Sequence, residues 1–371
     1  MNSRVNSRVN YAVRIERVRA RMAELGVDAL LLSVGPDLPY LTGYEAMPLE
    51  RLTMLVLART GDIRLVVPRL EAPRVQPRPE LFEIVTWEET DDPIAVVAGM
   101  IRRSARRVAI GDHTWARFVL DLQHEVPSCV FVRSTDVVGP IRMVKDAGEI
   151  AALTRAAHAV DAIANEMRSV AFGGRTELEV HRELVERMLA AGHERANFAI
   201  VAAGANAASP HHEPTSARTI TDGDLVLCDF GGTMDGYCSD ITRMFHVGAP
   251  TAEISDVYSV LVRAQEAGVA AATVGTPCAD VDDASRRVIT TAGFGDAFVH
   301  RVGHGIGTEA HEDPYMVAGN ARLLEAGHAF SVEPGIYFPG RFGMRLEDIV
   351  VATDDGPSRL NLAARDIAIV A

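Results

Sequence analysis

Apolar residues recur at helical spacing from Tyr11 to about Leu25, and Gly26 ends that periodicity. "DALLLSV" follows as an apolar run of strand length. The alternation then continues: "LTMLVLA", "IRLVVP", "RRVAIGD" and "SCVFVRS" read as strands, and Trp115 to Glu125 as a helix between two of them. This pattern predicts an α/β domain over residues 11–139. Gly139-Pro140 reads as the break after its last strand, "GPIRMVKDAGEI" as a connection, and residues 140–371 as a second domain whose long alanine-rich helix starts around Lys145. Beyond it come a helix from Thr176 to Ala191 closed by Gly192, strands separated by glycine-rich turns, and a helix near Ile254 to Val274. The second half is α+β, and its strands carry nearly all the notable polar residues. The opening "MNSRVNSRVN" is polar, duplicates NSRV, and reads as a flexible tail over residues 1–10.

Composition narrows the function. With 371 residues and 48% hydrophobic content, the chain suits two domains that each bury a core. A formal charge of −13 excludes a nucleic-acid partner or an anionic membrane surface, since both need a basic face. No apolar run approaches membrane-spanning length and the N-terminus lacks the apolar core of a signal peptide, so a cytoplasmic protein acting on small molecules is expected. Cys129, Cys228, Cys238 and Cys278 show neither zinc spacing nor the density of a disulfide scaffold. Cys228 faces away from its strand neighbour Asp229, which makes it a packing residue.

"DFGGTMDGYCSDITR", residues 229–243, places Asp229 and Asp240 on either side of a glycine-rich turn between two strand-like runs. If the hairpin centres on Met234 and Asp235, Asp229 lies directly opposite Asp240. If it centres on Asp235-Gly236, Asp240 becomes the diagonal neighbour. Either register puts both carboxylates on one face. Two carboxylates that close in a dry site cannot both stay ionised without a cation or strong donors.

Three further stretches add candidates. "VHRVGHGIGTEAHEDP" holds His300, His304 and His311, "FSVEPGIYF" holds Glu333, and "GMRLEDIVVA" holds Arg345 and Glu347 on one face of a strand. Taken singly, each has an ordinary structural reading: a core histidine, a strand-end carboxylate, a same-face salt bridge. Taken together, apolar strands that each send a carboxylate inward are costly unless those carboxylates share a partner. Four carboxylates and one imidazole form a mainly oxygen donor set with room for two divalent ions, favouring manganese, cobalt or iron over structural zinc. The histidine stretch is not a zincin helix, because Arg301 stands where H-E-x-x-H needs its glutamate.

The ordered set "DFGG…SDITR", "GHGIG…HE", "VEPGIY" and "RLEDIV" resembles the pita-bread metallopeptidases, the group of prolidase, aminopeptidase P and methionine aminopeptidase. The likeness runs over essentially the whole chain and is nearest to short bacterial Xaa-Pro dipeptidases. It implies a creatinase/prolidase-type α/β N-terminal domain followed by an α+β pita-bread catalytic domain. It also implies two metal ions, Mn²⁺ or Co²⁺ foremost with Zn²⁺ or Fe²⁺ as alternatives, held by Asp229, Asp240, His304, Glu333 and Glu347, with Asp240 and Glu347 bridging. His300 and His311 match the family's outer histidines, and Arg345 its substrate-side arginine. In "SPHHEPTSARTITDGD" the family's lead-in to Pro-His selects His211, whereas counting back from Asp229 selects His212; His211 is the choice and His212 the alternate.

The implied reaction is hydrolysis of the Xaa-Pro bond in short peptides, most of all dipeptides, by a hydroxide held between the ions. Glu333 would pass the proton to the leaving nitrogen, His311 would donate to the oxyanion, and His211 with Arg345 would hold the carboxylate end. The expected partner is a small peptide with proline at its second position, and the expected assembly a homodimer. An aminopeptidase P acting on longer peptides, or a metal-dependent hydrolase of another small amide, are the alternatives. Metal-free creatinase-like enzymes and binding proteins on this fold lose several of the five ligand positions, and this chain retains all of them.

Overall fold

The computed structural model describes residues 10–371. The tail expected over 1–10 lies outside the described residues except for Asn10, whose side chain accepts a hydrogen bond from Val13 N–H and caps the first helix. The chain forms two compact units that part between Arg142 and Met143. No described helix is long and apolar enough to cross a membrane.

The first unit contains α1 (Tyr11–Leu25), β1 (Ala29–Leu32), α2 (Asp37–Thr42), β2 (Met54–Ala58), β3 (Ile63–Pro68), β4 (Glu83–Trp87), α3 (Pro93–Met100), β5 (Arg107–Ile110), α4 (Ala116–Glu125), β6 (Val130–Arg133) and α5 (Thr135–Met143). One sheet runs β4-β3-β2-β1-β5-β6. It is antiparallel among β1, β2 and β3 and parallel at its other pairings. Central β1 shows why "ALLL" is continuously apolar: Leu30 and Leu32 pack with Val18 and Met22 of α1, while Ala29 and Leu31 pack on the opposite face with Val97 of α3 and Leu122 of α4. Gly139-Pro140 does not break a strand. It lies inside α5, whose Val137, Val138 and Ile141 join the α1-side core and hold the helix despite the missing proline donor. The units therefore part at 142/143, whereas the sequence pattern places the change at 139/140.

The second unit contains α6 (Ala147–Met167), α7 (Glu177–Ala190), β7 (Arg195–Ala203), β8 (Leu225–Met234), β9 (Tyr237–Cys238), β10 (Ile241–Val247), α8 (Ala252–Ala271), α9 (Cys278–Thr291), β11 (Gly303–Gly305), β12 (Glu312–Met316), β13 (Ala329–Val332), β14 (Gly335–Phe338), β15 (Phe342–Arg345), β16 (Asp348–Thr353), β17 (Gly356–Arg359) and β18 (Ala368–Val370). Capping boxes start α6 (Asp146, Glu149) and α7 (Thr176, Glu179), each closing two backbone donors that the helix itself leaves open. One sheet has the order β18-β10-β8-β7, with β9 pairing β8; the other has the order β12-β11-β13-β16-β17, and β14 pairs with β15. Helices α6 and α7 bury apolar faces against β7, β8 and β10, and α8 and α9 against residues of β13 and β16. An isolated bridge between Thr242 and Glu347 joins the two sheets. The polar faces of the strands meet there.

Candidate metal centre

Asp235 and Gly236 both have positive φ, 51° and 77°, the requirement of a two-residue type I′ turn. Thr233 therefore pairs with Cys238, Met234 with Tyr237, and Thr242 with Asp229. Of the two registers open to the sequence, this is the second, and Asp240 is the diagonal neighbour of Asp229. Between β9 and β10 the chain dips toward β8, and a Cβ on Gly231 would lie 2.0 Å from the Ser239 carbonyl oxygen. Only glycine admits that approach. Cys228 turns into the core beneath α6 and α7, where burial pushes its thiol far up.

His304 sits in β11, Glu333 directly follows β13, Arg345 ends β15, and Glu347 directly precedes β16. The approach of β11 to β13 again needs glycine: a Cβ on Gly303 would lie 1.9 Å from the Ser331 carbonyl oxygen. His304 Nδ1 lies 3.1 Å from the Gly305 carbonyl, so that nitrogen donates and Nε2 presents a lone pair. Nε2 stands 3.1 Å from Glu333 Oε1 and 3.7 Å from Asp240 Oδ2. Ser331 Oγ donates to Glu333 Oε1 at 3.0 Å, and Thr242 Oγ1 donates to Glu347 Oε2 at 2.7 Å. Asp240, His304 and Glu347 each offer a donor atom within 4.8 Å of the others.

Three carboxylate oxygens in this cluster, Asp229 Oδ1, Asp240 Oδ1 and Glu347 Oε1, are buried without a hydrogen-bond partner among the described residues. Burial pushes the carboxyls of Asp229, Asp240 and Glu347 up, and their own mutual repulsion and that of Glu333 push Asp240 and Glu347 well above the usual carboxylate range. Among the described residues, Arg345 is the arginine or lysine in contact with them. Lone pairs that converge unmatched in a buried, acidic cluster fit divalent metal ions, and the oxygen-rich donor set suits hard or borderline ones.

Arg345 is 2% exposed and each of its three nitrogens makes at least one hydrogen bond. Nε donates to Thr242 Oγ1 at 3.2 Å, Nη1 to Tyr337 Oη at 2.9 Å and to the Pro210 carbonyl at 3.3 Å, and Nη2 to Asp229 Oδ2. It braces the carboxylates. His300 holds the Arg301 carbonyl through Nδ1 at 2.7 Å and the Tyr337 hydroxyl through Nε2 at 2.9 Å. The His311 ring lies 3.9 Å, centre to centre, from that of His304, and burial, followed by the neighbouring His304, pushes its pKa down to about 4.

Asp229, Asp240, His300, His304, His311, Glu333, Arg345 and Glu347 line one cavity of about 690 Å³ whose other wall is apolar, with Phe198, Ile200 and Val317. His211 lines it too. His212 turns away to Glu177, 2.8 Å from Nε2 to Oε2. Thr242, Ser331 and Tyr337 escape the sequence reading. Tyr337 could have been found, because strand alternation from Glu333 through Gly335 places it on the same face.

Residues 148–354 match the profile of metallopeptidase family M24, and residues 14–144 that of the creatinase/prolidase N-terminal domain. The chain is 40% identical over 364 residues to the probable dipeptidase PepE of Mycobacterium tuberculosis, covering 97% of this chain and 96% of that protein. It is 31% identical over 366 residues to the Xaa-Pro dipeptidase of Lactobacillus delbrueckii subsp. lactis, covering 96% and 99%. The crystal structure of dipeptidase PepE from Mycobacterium ulcerans superposes with a TM-score of 0.91 at 40% identity, covering 97% of this chain and 98% of that one. An α/β domain of creatinase/prolidase type and a pita-bread catalytic domain, with carboxylates and a histidine converging between its sheets, make this chain a member of metallopeptidase family M24.

Proposed function

We propose that this protein hydrolyses the Xaa-Pro bond of short peptides, dipeptides foremost, with two divalent ions held by Asp229, Asp240, His304, Glu333 and Glu347. The observation that carries the reading is the convergence of three partnerless buried carboxylate oxygens with the His304 Nε2 lone pair. When bound, such ions supply Lewis acidity, polarising a carbonyl and raising the acidity of water. The chain's own residues do the rest. Water adds to the carbonyl carbon, the C–N bond to proline breaks, and a Glu333 carboxylate oxygen carries the proton from water to the departing nitrogen. His311, kept neutral, can donate a hydrogen bond to the developing oxyanion. His211 stands on the same wall as substrate, and Phe198, Ile200 and Val317 offer an apolar surface against which a side chain or proline ring excludes water. The likeness to a protein named Xaa-Pro dipeptidase supports proline as the second residue.

The same reading makes the protein a cytoplasmic homodimer loaded with manganese or cobalt, and the oxygen-rich donor set supports these metals over thiolate-bound zinc. The test is a substrate panel with protein reconstituted in Mn²⁺ or Co²⁺: Xaa-Pro dipeptides, Xaa-Pro-Xaa tripeptides and proline-free dipeptides. The expected ranking puts Xaa-Pro first in kcat/KM. Better cleavage of tripeptides would make it an aminopeptidase P, and no cleavage of any peptide would move it to another small amide.

A further inference from the structure

We infer that Arg301 recognises a carboxylate of the substrate and thereby sets which peptides the cavity accepts. Two arginines line this cavity, and they differ in what their donors do. All three nitrogens of Arg345 are engaged, four of its five N–H groups going to Asp229, Thr242, Tyr337 and Pro210. The Arg301 guanidinium makes no hydrogen bond or ion pair among the described residues, although the chain carries 50 acidic side chains against 37 basic ones. Its one side-chain contact of note is the Tyr315 ring, 4.4 Å from guanidinium carbon to ring centre.

Stacking of this kind fixes the plane of the guanidinium and leaves its edge N–H groups open. A planar fork of donors matches a carboxylate, which it can hold through two parallel hydrogen bonds. The group lines the same cavity as His304, His311 and Glu333. An arginine that is half-buried, without a partner among the described residues, stacked on Tyr315 and lining the cavity that also holds the candidate oxyanion donor is placed for a ligand.

The inference rests on the Xaa-Pro reading above. An Xaa-Pro dipeptide carries the chemistry in two places, the proline carboxylate and, where Xaa is Asp or Glu, the first side chain. The experiment compares wild type, Arg301→Met and Arg301→Lys on Leu-Pro, Asp-Pro and Leu-Pro-amide, with metal content and melting temperature measured alongside. Arg301→Met should raise KM by roughly ten- to hundredfold with kcat little changed, and Arg301→Lys should recover part of the loss. If Arg301 reads the proline carboxylate, Leu-Pro and Asp-Pro both weaken and Leu-Pro-amide does not. If it reads the acidic side chain, Asp-Pro alone weakens. Unchanged KM for all three substrates in Arg301→Met overturns the inference while the peptidase reading stands. Should Arg301→Met lose metal or fold, Arg301→Lys decides: a KM equal to that of wild type on Leu-Pro and Asp-Pro also overturns it. Wild type inactive on all three substrates defeats the peptidase reading itself.

Discussion

The Thr242 hydroxyl donates to Glu347 Oε2 at 2.7 Å across the bridge that joins the two sheets of the second unit, between residues 105 positions apart. Thr242 Oγ1 in turn accepts from Arg345 Nε at 3.2 Å. Thr242 also pairs with Asp229 in the β8–β10 ladder. One hydroxyl thus orients a carboxylate from the second sheet, receives the arginine that holds Asp229, and fixes how the candidate ligands of both sheets meet.

Replacing Thr242 with valine keeps the shape and removes both hydrogen bonds. Groups that orient ligating carboxylates are typically worth about ten- to hundredfold in metal affinity. Thr242→Val should lose that much in Mn²⁺ affinity by titration of metal-stripped protein, while Thr242→Ser stays near wild type. Equal affinity in all three would show that the hydroxyl does not position Glu347.

His211 and His212 are neighbours with opposite surroundings. His211 lines the cavity, and His212 holds Glu177, whose fully buried side chain also accepts from Ala203 N–H and Asn206. His211→Ala should lower kcat/KM by roughly a hundredfold at unchanged metal content, as expected for a group that contacts substrate. His212→Ala should leave kcat/KM largely intact and cost about 1–3 kcal/mol of stability, the range for a hydrogen bond to a buried charge. Steady-state kinetics and urea unfolding of the two variants check both halves; the reverse pattern would transfer the catalytic role to His212.

The hairpin shows how far local chemistry reaches. "MDGY" encodes its turn, because Asp and Gly tolerate the positive φ that a two-residue connection demands, and the alternating flanks fix which face carries Asp229 and Asp240. Alternation misplaces Arg345 and Glu347, which it puts on one face of a single strand: Arg345 ends β15, and Glu347 lies just before β16 of another sheet. What the sequence could not show is which distant group each would meet. Arg345, expected on the substrate side, also meets Asp229, Thr242 and Tyr337, and Thr242 reads as an ordinary β-branched strand residue until Glu347 lies beside it. Gly139-Pro140 misleads for a related reason: the apolar residues around it gain enough by packing on the sheet to keep a proline inside a helix. Long-range partners, rather than local propensity, decide all three.

His328 gives a pH dependence separable from the metal centre. It is 1% exposed, Glu325 N–H donates to its Nδ1, and burial, reinforced by Lys145 and Arg322, pushes its pKa from 6.5 down to about 4. Its folded-state pKa lies below its unfolded value, so the unfolded chain takes a proton that the native state refuses. Stability is therefore complete above about pH 6.5 and falls as pH drops toward 4, by up to about 3 kcal/mol from this group. His328→Asn keeps an acceptor for Glu325 and does not titrate. Urea unfolding of metal-stripped wild type and variant between pH 4 and 7 should show a shallower acid limb in the variant, and parallel limbs would exclude the assignment.

Metal loading should carry its own proton signature. Asp229, Asp240 and Glu347 have carboxyls pushed up by burial and by the neighbouring carboxylates, the latter two furthest. A divalent ion binds the ionised form, so protons leave as metal enters and affinity rises with pH. If more than one proton is displaced, the apparent Kd for Mn²⁺ tightens by more than about tenfold per pH unit, which calorimetric titration in buffers of different ionisation enthalpy measures directly. Chelation should abolish activity and Mn²⁺ or Co²⁺ restore it. Asp240→Asn and Glu347→Gln should each bind less metal, release fewer protons and lose nearly all turnover, because each removes a carboxylate with a partnerless oxygen at the centre. Cys228→Ala and Cys238→Ala should change none of these quantities, since the two thiols pack in the cores on either side of the hairpin. A metal affinity that ignores pH, or a cysteine variant that loses its metal, would mean that other side chains hold the ions.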